Sequence, residues 1–183
     1  MRILATAVVA SLALSLGACS EDEPRDRPDA SSEATVRPPS SPPPARPVGM
    51  TADSPQGVTD FVSYYLKVLS YAHLTGNTEE LGRLSDVSCS ACQSYVSAID
   101  ELAKDGGTIT GGTRTFSGAK VRYSSSGGES LLTINVKIGS GTRQATPASE
   151  KVRIAASEMR LTFGVKGTGG DRRISRIFQG DPT

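Results

Sequence analysis

The chain has 183 residues, with 20 Lys and Arg against 19 Asp and Glu, a formal charge of +1. That length suits one ordinary domain with something added, and a near-neutral balance gives no electrostatic case for nucleic acid as a partner. Apolar residues are only 37 % of the chain, which has no Trp, one His and three Cys, and the apolar shortage is local.

Met1-Arg2 opens with a positive charge, an uncharged and mostly apolar run extends from Ile3 to Leu16, and small residues end it. This is the pattern of a secretory signal peptide over residues 1–18. The run is shorter than the about 20 residues a spanning helix needs. Leu16-Gly17-Ala18-Cys19 is similar to the bacterial lipobox. The resemblance implies diacylglycerol on the Cys19 thiol, which only a sulfur can hold as a thioether, and cleavage between Ala18 and Cys19. Two acyl chains anchor stably where one binds marginally, so acylated Cys19 would hold the chain to membrane lipid. The alternative is an ordinary signal cleaved near Ala18, with Cys19 left as a bare thiol.

Residues 19–53 are expected to be a disordered tether behind that cysteine. From Ser20 to Asp53 there is no Ile, Leu, Phe or Tyr, yet eight of the eleven prolines lie there. Such a segment cannot bury enough apolar surface to offset the entropy of ordering it. The proline runs predict an extended spacer that lifts the domain off the membrane. They also suit proline-reading domains, and Ser beside Pro permits O-glycosylation.

Residues 54–183 carry every aromatic residue and are enough for one folded domain. Ser54-Pro55 predicts a helix start, with a capping Ser and Pro at the first helical position. Apolar residues at 58, 61, 62, 65, 69 and 72 follow at helical spacing until Gly76-Asn77 stops the helix. Asn77 caps a shorter helix with Glu79 and Glu80 in its first turn and Leu81 and Leu84 turned inward. A third helix is predicted from near Ser88 to Lys104, burying Tyr95, Ala98, Ile99 and Leu102. Beyond Gly107 the pattern is strand. Lys120–Tyr123, Leu132–Ile138, Met159–Lys166 and Arg173–Phe178 alternate, with Gly127-Gly128, Gly139–Gly141 and Gly167–Gly170 as hairpin turns. Helices before strands imply an α+β domain, with three N-terminal helices packed on one face of a curved antiparallel sheet of about four strands.

Three helices followed by antiparallel strands, the last short, basic and apolar, resembles the cone-shaped nuclear-transport-factor-two-like fold. The lipobox, the Pro-rich tether, the long Tyr-containing helix and the single Cys89-Ser90-Ala91-Cys92 are similar to a family of actinobacterial lipoproteins of unknown function. The resemblance implies a fold and a compartment, the outer face of the cytoplasmic membrane. It implies no activity, since that fold hosts enzymes, binding modules and scaffolds alike.

With Cys19 acylated, Cys89 and Cys92 are the only thiols left, and outside the membrane two neighbouring cysteines normally pair. A disulfide closing so short a loop adds roughly 2 kcal/mol at most. The competing readings are a redox dithiol, which wants a preceding strand, and a zinc site, which lacks two ligands with His73 the only His. His73 is also the one imidazole on offer as a general base, though at the edge of an apolar stripe it reads first as a packed side chain. Asp60, Asp86, Asp100 and Glu101 are the carboxylates an isomerase-like pocket would draw on, Asp60 the best placed. There is neither a phosphate-cradling Gly-rich loop ending in Lys-Ser or Lys-Thr nor a Gly-x-Ser-x-Gly. No catalytic, metal or cofactor constellation is expected.

Charge is uneven. Residues 54–105 hold seven acidic and three basic side chains, residues 106–183 five acidic and twelve basic. Lys120, Arg122, Lys137, Arg153, Arg160 and Lys166 fall mainly on the polar strand face. A solvated face that blunts edge pairing explains them; a docking face for anionic lipid or cell-wall polymer is the sharper reading. The expected protein is a membrane-anchored extracytoplasmic lipoprotein with a non-enzymatic binding domain. The alternative is a small isomerase-like or hydrolytic enzyme using a cone-shaped pocket.

Overall fold

A computed structural model describes residues 41–123 and 128–181 of the protein. The signal-peptide pattern, Cys19, most of the tether and part of the Gly127-Gly128 turn lie outside them. Helices come first: α1 spans Pro55–Thr75, α2 Glu79–Arg83 and α3 Ser90–Lys104. Ser54 caps α1, its side chain accepting from Gly57 N at 3.1 Å, and Gly76 ends it at φ 74°, a left-handed conformation that glycine adopts freely. Asn77 Oδ1 accepts from Glu79 N at 3.1 Å at the head of α2. In α3, Ile99 and Leu102 are buried and Tyr95 packs against the core as expected, but Ala98 faces solvent and Val96 turns towards the core in its place.

Seven strands follow: β1 Thr108–Gly111, β2 Arg114–Tyr123, β3 Glu129–Ile138, β4 Gly141–Gln144, β5 Lys151–Ile154, β6 Ser157–Lys166 and β7 Arg173–Gln179. The four long strands make one antiparallel sheet in the order β2-β3-β6-β7, which contains all four strands read from the alternation. The short ones make a second sheet, β1-β4-β5, which period-two patterning over four residues does not reveal. Gly139–Gly141 is consequently no hairpin turn. It passes the chain from the large sheet to the small one, where Gly141 lies against Thr110 O so closely that a Cβ would sit 2.4 Å from it.

Two bulges bend the large sheet. Ser117 pairs with Asn135 but Lys120 with Thr133, so β2 carries one residue more than β3, at Gly118, whose φ is 67°. Between Gly164 and Val165 the partner on β7 skips from Arg176 to Ile174. The concave face buries Leu132, Ile134, Val136, Phe163, Val165 and Ile174 beneath α1, which contributes Phe61, Val62, Tyr65 and Leu69. The Tyr65 and Phe163 rings meet edge-on at 6.3 Å, a geometry the aromatic quadrupole favours.

The packed structure begins before Ser54. Val48–Thr51 forms a 3-10 turn with Met50 in the core, and upstream of it Arg46 Nη2 donates to Glu80 Oε1 at 2.6 Å. The cause lies far along the chain. Arg172, 5 % exposed, donates to Met50 O at 2.6 Å, Ala52 O at 2.8 Å and Asp53 Oδ1 at 3.0 Å. A single buried guanidinium thereby fastens the last residues of the expected tether to the β6–β7 connection. Among the described residues no helix is long and apolar enough to cross a membrane. Arg172→Ala is expected to lower unfolding free energy by about 2–3 kcal/mol, because it strips buried carbonyls of a charged donor. Asp53→Asn, at a carboxylate 67 % exposed, should cost less than about 1 kcal/mol. Chemical denaturation of the two variants measures the difference.

Candidate functional site

The cysteine pair sits where the chain enters α3. Its two sulfurs stand 2.06 Å apart, at disulfide distance, with the Cα atoms 5.2 Å apart. Cys89 Sγ also accepts from Cys92 N at 3.2 Å, so the same atom caps the helix. Both residues are shut in, at 1 % and 0 % exposure. Thiol–disulfide exchange needs an incoming thiolate to reach a sulfur, and this burial favours a structural role. Among the described residues no cluster of metal-ligating side chains accompanies the pair.

The carboxylates of the helical half are not brought together. Asp60 Oδ1 accepts from Gln56 Nε2 at 2.8 Å, and its other oxygen lies over Gly49 of the 3-10 turn. Asp86 accepts from Ser88 N at 2.8 Å and Ser88 Oγ at 2.5 Å, which holds its carboxyl below the usual range and fixes the loop into α3. Asp100 accepts from Thr78 Oγ1 at 2.7 Å, tying α3 to α2, and Glu101 is exposed. Asp60, Asp86 and Asp100 thus do local structural work at the helices.

The interior holds a different set. Tyr65 on α1 is buried in the core and Tyr95 on α3 packs against it, while Arg114, the first residue of β2, lies half-buried on the same strand face as Phe116. Burial pushes the Tyr65 hydroxyl up to about 12, with Ser85 and Arg114 pulling slightly the other way. Among the described residues that hydroxyl has no well-formed hydrogen bond, although Ser85 Oγ, which donates to Leu81 O at 2.7 Å, is near and keeps lone pairs to accept from it. Burial also lowers the pKa of Arg114, whose guanidinium donates to Ser70 Oγ at 3.4 Å. His73, the imidazole singled out from the sequence, lies near Arg114. Burial above all, and that cation after it, keep its pKa below 6.5, and a 2.8 Å contact to Leu69 O assigns its proton to Nδ1. Sequence reading placed Tyr65 and Tyr95 in the apolar stripes and passed over Arg114, whose burial is purely tertiary.

Outside, the convex face of the large sheet collects Lys120, Arg122, Lys137, Arg160, Lys166 and Arg176. Carboxylates are set among them. Lys137 pairs with Glu158 at 3.7 Å, Arg160 with Asp181 at 2.8 Å, and Arg176 with Glu129. Arg122 and Lys120 add to the field that, behind the Arg160 hydrogen bonds, depresses Asp181. Arg153 is not part of this face; it belongs to β5 in the small sheet. At the end of the large sheet, a cleft of about 530 Å³ is lined by Ser54, Val58, Tyr123, Thr168 and Arg172, among others.

A model described as a family of unknown function, DUF6318, matches residues 31–164. No curated protein matches the sequence. The fold is similar to that of the intermembrane space region of the chloroplast protein ARC6, at 14 % identity over 72 % of this chain and 99 % of that one, with a TM-score of 0.56. A looser likeness, TM-score 0.41 at 13 % identity over 68 % and 90 % of the chains, is to an uncharacterised Caulobacter vibrioides protein with a cystatin-like fold. The likeness to the ARC6 region is of fold alone.

If the cysteines act only to brace α3, Cys89→Ala with Cys92→Ala should lower stability by roughly 2 kcal/mol or less and leave the folded spectrum intact. Protein exported and purified without reductant should show neither cysteine to a thiol reagent, even after unfolding. A free thiol pair there would reverse the assignment.

Proposed function

The chain belongs to this family of unknown function, and we propose that it is an extracytoplasmic lipoprotein, held to the outer face of the cytoplasmic membrane by acylated Cys19, whose domain binds rather than catalyses. The anchoring rests on the lipobox at the end of a signal-peptide pattern. The binding role is supported by one observation above the others: of the four carboxylates a pocket enzyme would use, Asp60, Asp86 and Asp100 hold local hydrogen bonds at the helices and Glu101 is exposed, so the four do not gather at one pocket. The enzyme reading stays as the alternative and would need a base other than these.

The contact surface is the convex sheet face, and its chemistry suits a polyanion, either anionic lipid headgroups or an anionic cell-wall polymer. About 27 residues separate Cys19 from Arg46, so the spacer reaches at most ~80 Å if fully extended. Within that reach lie both the lipid surface and the wall. Each Lys or Arg near a negatively charged surface contributes about 1 kcal/mol, fading within a Debye length. Lys120, Arg122, Lys166 and Arg173 are cations of this face that have no ion-pair partner among the described residues, and Arg173 is engaged with Arg83 O. They would carry most of the attraction.

One experiment with two substitutions tests both halves. Cys19→Ser should move the protein from membranes to the soluble fraction and remove the acyl mass seen by mass spectrometry of the parent. A membrane-bound, never-acylated parent would end the lipoprotein reading. In the Cys19→Ser background, the soluble protein should sediment with vesicles containing phosphatidylglycerol or with purified wall fragments. Replacing Lys120, Arg122 and Lys166 by Gln should weaken that binding at least tenfold, at about 1 kcal/mol per cation. Which of the two materials responds identifies the source of the anion. Binding that ignores the three substitutions, or that ignores added salt, would leave the face as ordinary solvated surface.

A further inference from the structure

We propose that the end of the domain built around the β6–β7 connection, Gly167–Arg172, docks on an anionic lipid surface, with Val48, Val87 and Tyr123 as its apolar contacts. Five large apolar side chains are exposed among the described residues. Such residues, scattered singly, are ordinary on a domain surface, but here their placement is one-sided. Val48, 95 % exposed, Val87, 92 % exposed, and Tyr123, 59 % exposed, all border this one connection. The Val48–Thr51 turn lies against Gly169–Asp171, and just beyond the turn Asp53 Oδ1 accepts from Gly169 N at 3.2 Å. Tyr123 ends β2 and lines the cleft of about 530 Å³ together with Ser54, Gly167 and Thr168. Val87 follows Asp86, whose backbone N–H donates to the carbonyl of Ile174, near the start of β7, at 2.8 Å. The other two lie elsewhere. Leu74 is at the far end of α1, ~30 Å from Ser54 at 1.5 Å per residue. Val152 belongs to the small sheet, which the chain enters from the opposite end of β3.

Charge and connectivity point to the same end. Lys166 and Arg173 form a cross-strand pair at the foot of the connection, and Arg122 immediately precedes Tyr123. None of the three has an ion-pair partner among the described residues, although Arg173 is held on Arg83 O. Asp86 and the exposed Asp171 oppose them, while Asp53 and Glu129 are taken up by Arg172 and Arg176. The cations therefore orient the domain, and the apolar contacts hold it. Tyrosine settles at a membrane–water interface with its ring inward, and Lys and Arg reach past apolar neighbours to the headgroups. A wall polymer offers no apolar interior to two valines, which makes lipid the partner of this end. The inference rests on the membrane anchoring proposed above. Arg46 is bonded to Glu80 of α2 two residues before Val48, so the chain that leads back to Cys19 joins the folded domain beside the docking end. Weak contacts suffice once a linker raises their effective concentration. Val48, Val87 and Tyr123 are no part of the convex cation face, so that reading and this one fail separately.

The chain has no Trp, so a single introduced one reports its own surroundings. Val48→Trp, Val87→Trp, Leu74→Trp and Val152→Trp are made separately in the full acylated chain. Each is reconstituted in vesicles of phosphatidylcholine and phosphatidylglycerol, with and without brominated acyl chains. Val48→Trp and Val87→Trp should emit at shorter wavelength and be quenched by the bromines; Leu74→Trp and Val152→Trp should do neither. Quenching at all four positions alike, at the last two alone, or at none overturns the docking end. Vesicles of phosphatidylcholine alone should quench less, and equal quenching would overturn the part given to the cations. Val48→Ser with Val87→Ser changes only side chains already in water. It should weaken sedimentation of the Cys19→Ser chain with the anionic vesicles at least about tenfold and leave binding to wall fragments unchanged; unaltered sedimentation counts against the apolar contacts. A parent that carries no acyl mass ends the anchoring instead, and the four Trp variants in the Cys19→Ser chain, with vesicles in excess, then decide the docking end by itself.

Discussion

A single long helix laid along the concave face of a bent sheet is the contact on which the domain depends. Phe61, Val62, Tyr65 and Leu69 of α1 are at most 3 % exposed, and they face Leu132, Ile134, Val136 and Phe163, which are no more exposed. With apolar residues at 37 % of the chain, there is material for one such layer and little else. Burying a large aliphatic or aromatic side chain contributes about 1.5–3 kcal/mol, so every additional apolar residue that reaches this layer matters. Met50 is drawn in from the end of the proline-rich stretch, and Arg172 holds it there through backbone carbonyls. The short helices brace the edges: Ser85, just past α2, bridges in parallel to Ile174 of β7, and Cys92 of α3 packs beneath the same strand.

What was legible in the sequence follows from how far each signal travels along the chain. Caps, stops and periodicity are local, and α1 begins and ends at the residues that announce it, Ser54 and Gly76. The cysteine pair is legible for the same reason. The small sheet is not, because four-residue strands such as Lys151–Ile154 carry too little alternation to stand out, and β1 meets β4 only across 30 to 36 residues of chain. The inward turn of Arg114 is equally invisible. A lone arginine beside Thr113 and Thr115 reads as surface, and only the packing of α1 over the start of β2 half-buries it, with its guanidinium donating to Ser70 Oγ.

Cations of the same kind thus meet two environments on the two sides of one sheet. On the convex side, charges are solvated, interleaved with Glu129, Glu158 and Asp181, and screened by salt over about 8–10 Å. Their effect on any partner is a sum of small contributions. On the concave side, Arg114 is half-buried with its guanidinium on Ser70 Oγ, where water is partly excluded and a charge interacts more strongly with its neighbours than at the surface.

The bulge in β2 is what keeps these environments apart. Strict alternation from Arg114 would carry Phe116 and Gly118 inward, and then Lys120 and Arg122 after them. Three cations would then line the core with no carboxylate to meet them. The extra residue at Gly118, in a left-handed conformation at φ 67°, reverses the phase. Phe116 and Val121, an odd number of residues apart, both pack against the core, while Lys120 and Arg122 turn out beside Asp181. A non-glycine residue tolerates that backbone poorly. The glycine is thus the local choice that lets one strand present a half-buried arginine on its inner face at the start and a basic outer surface at its end.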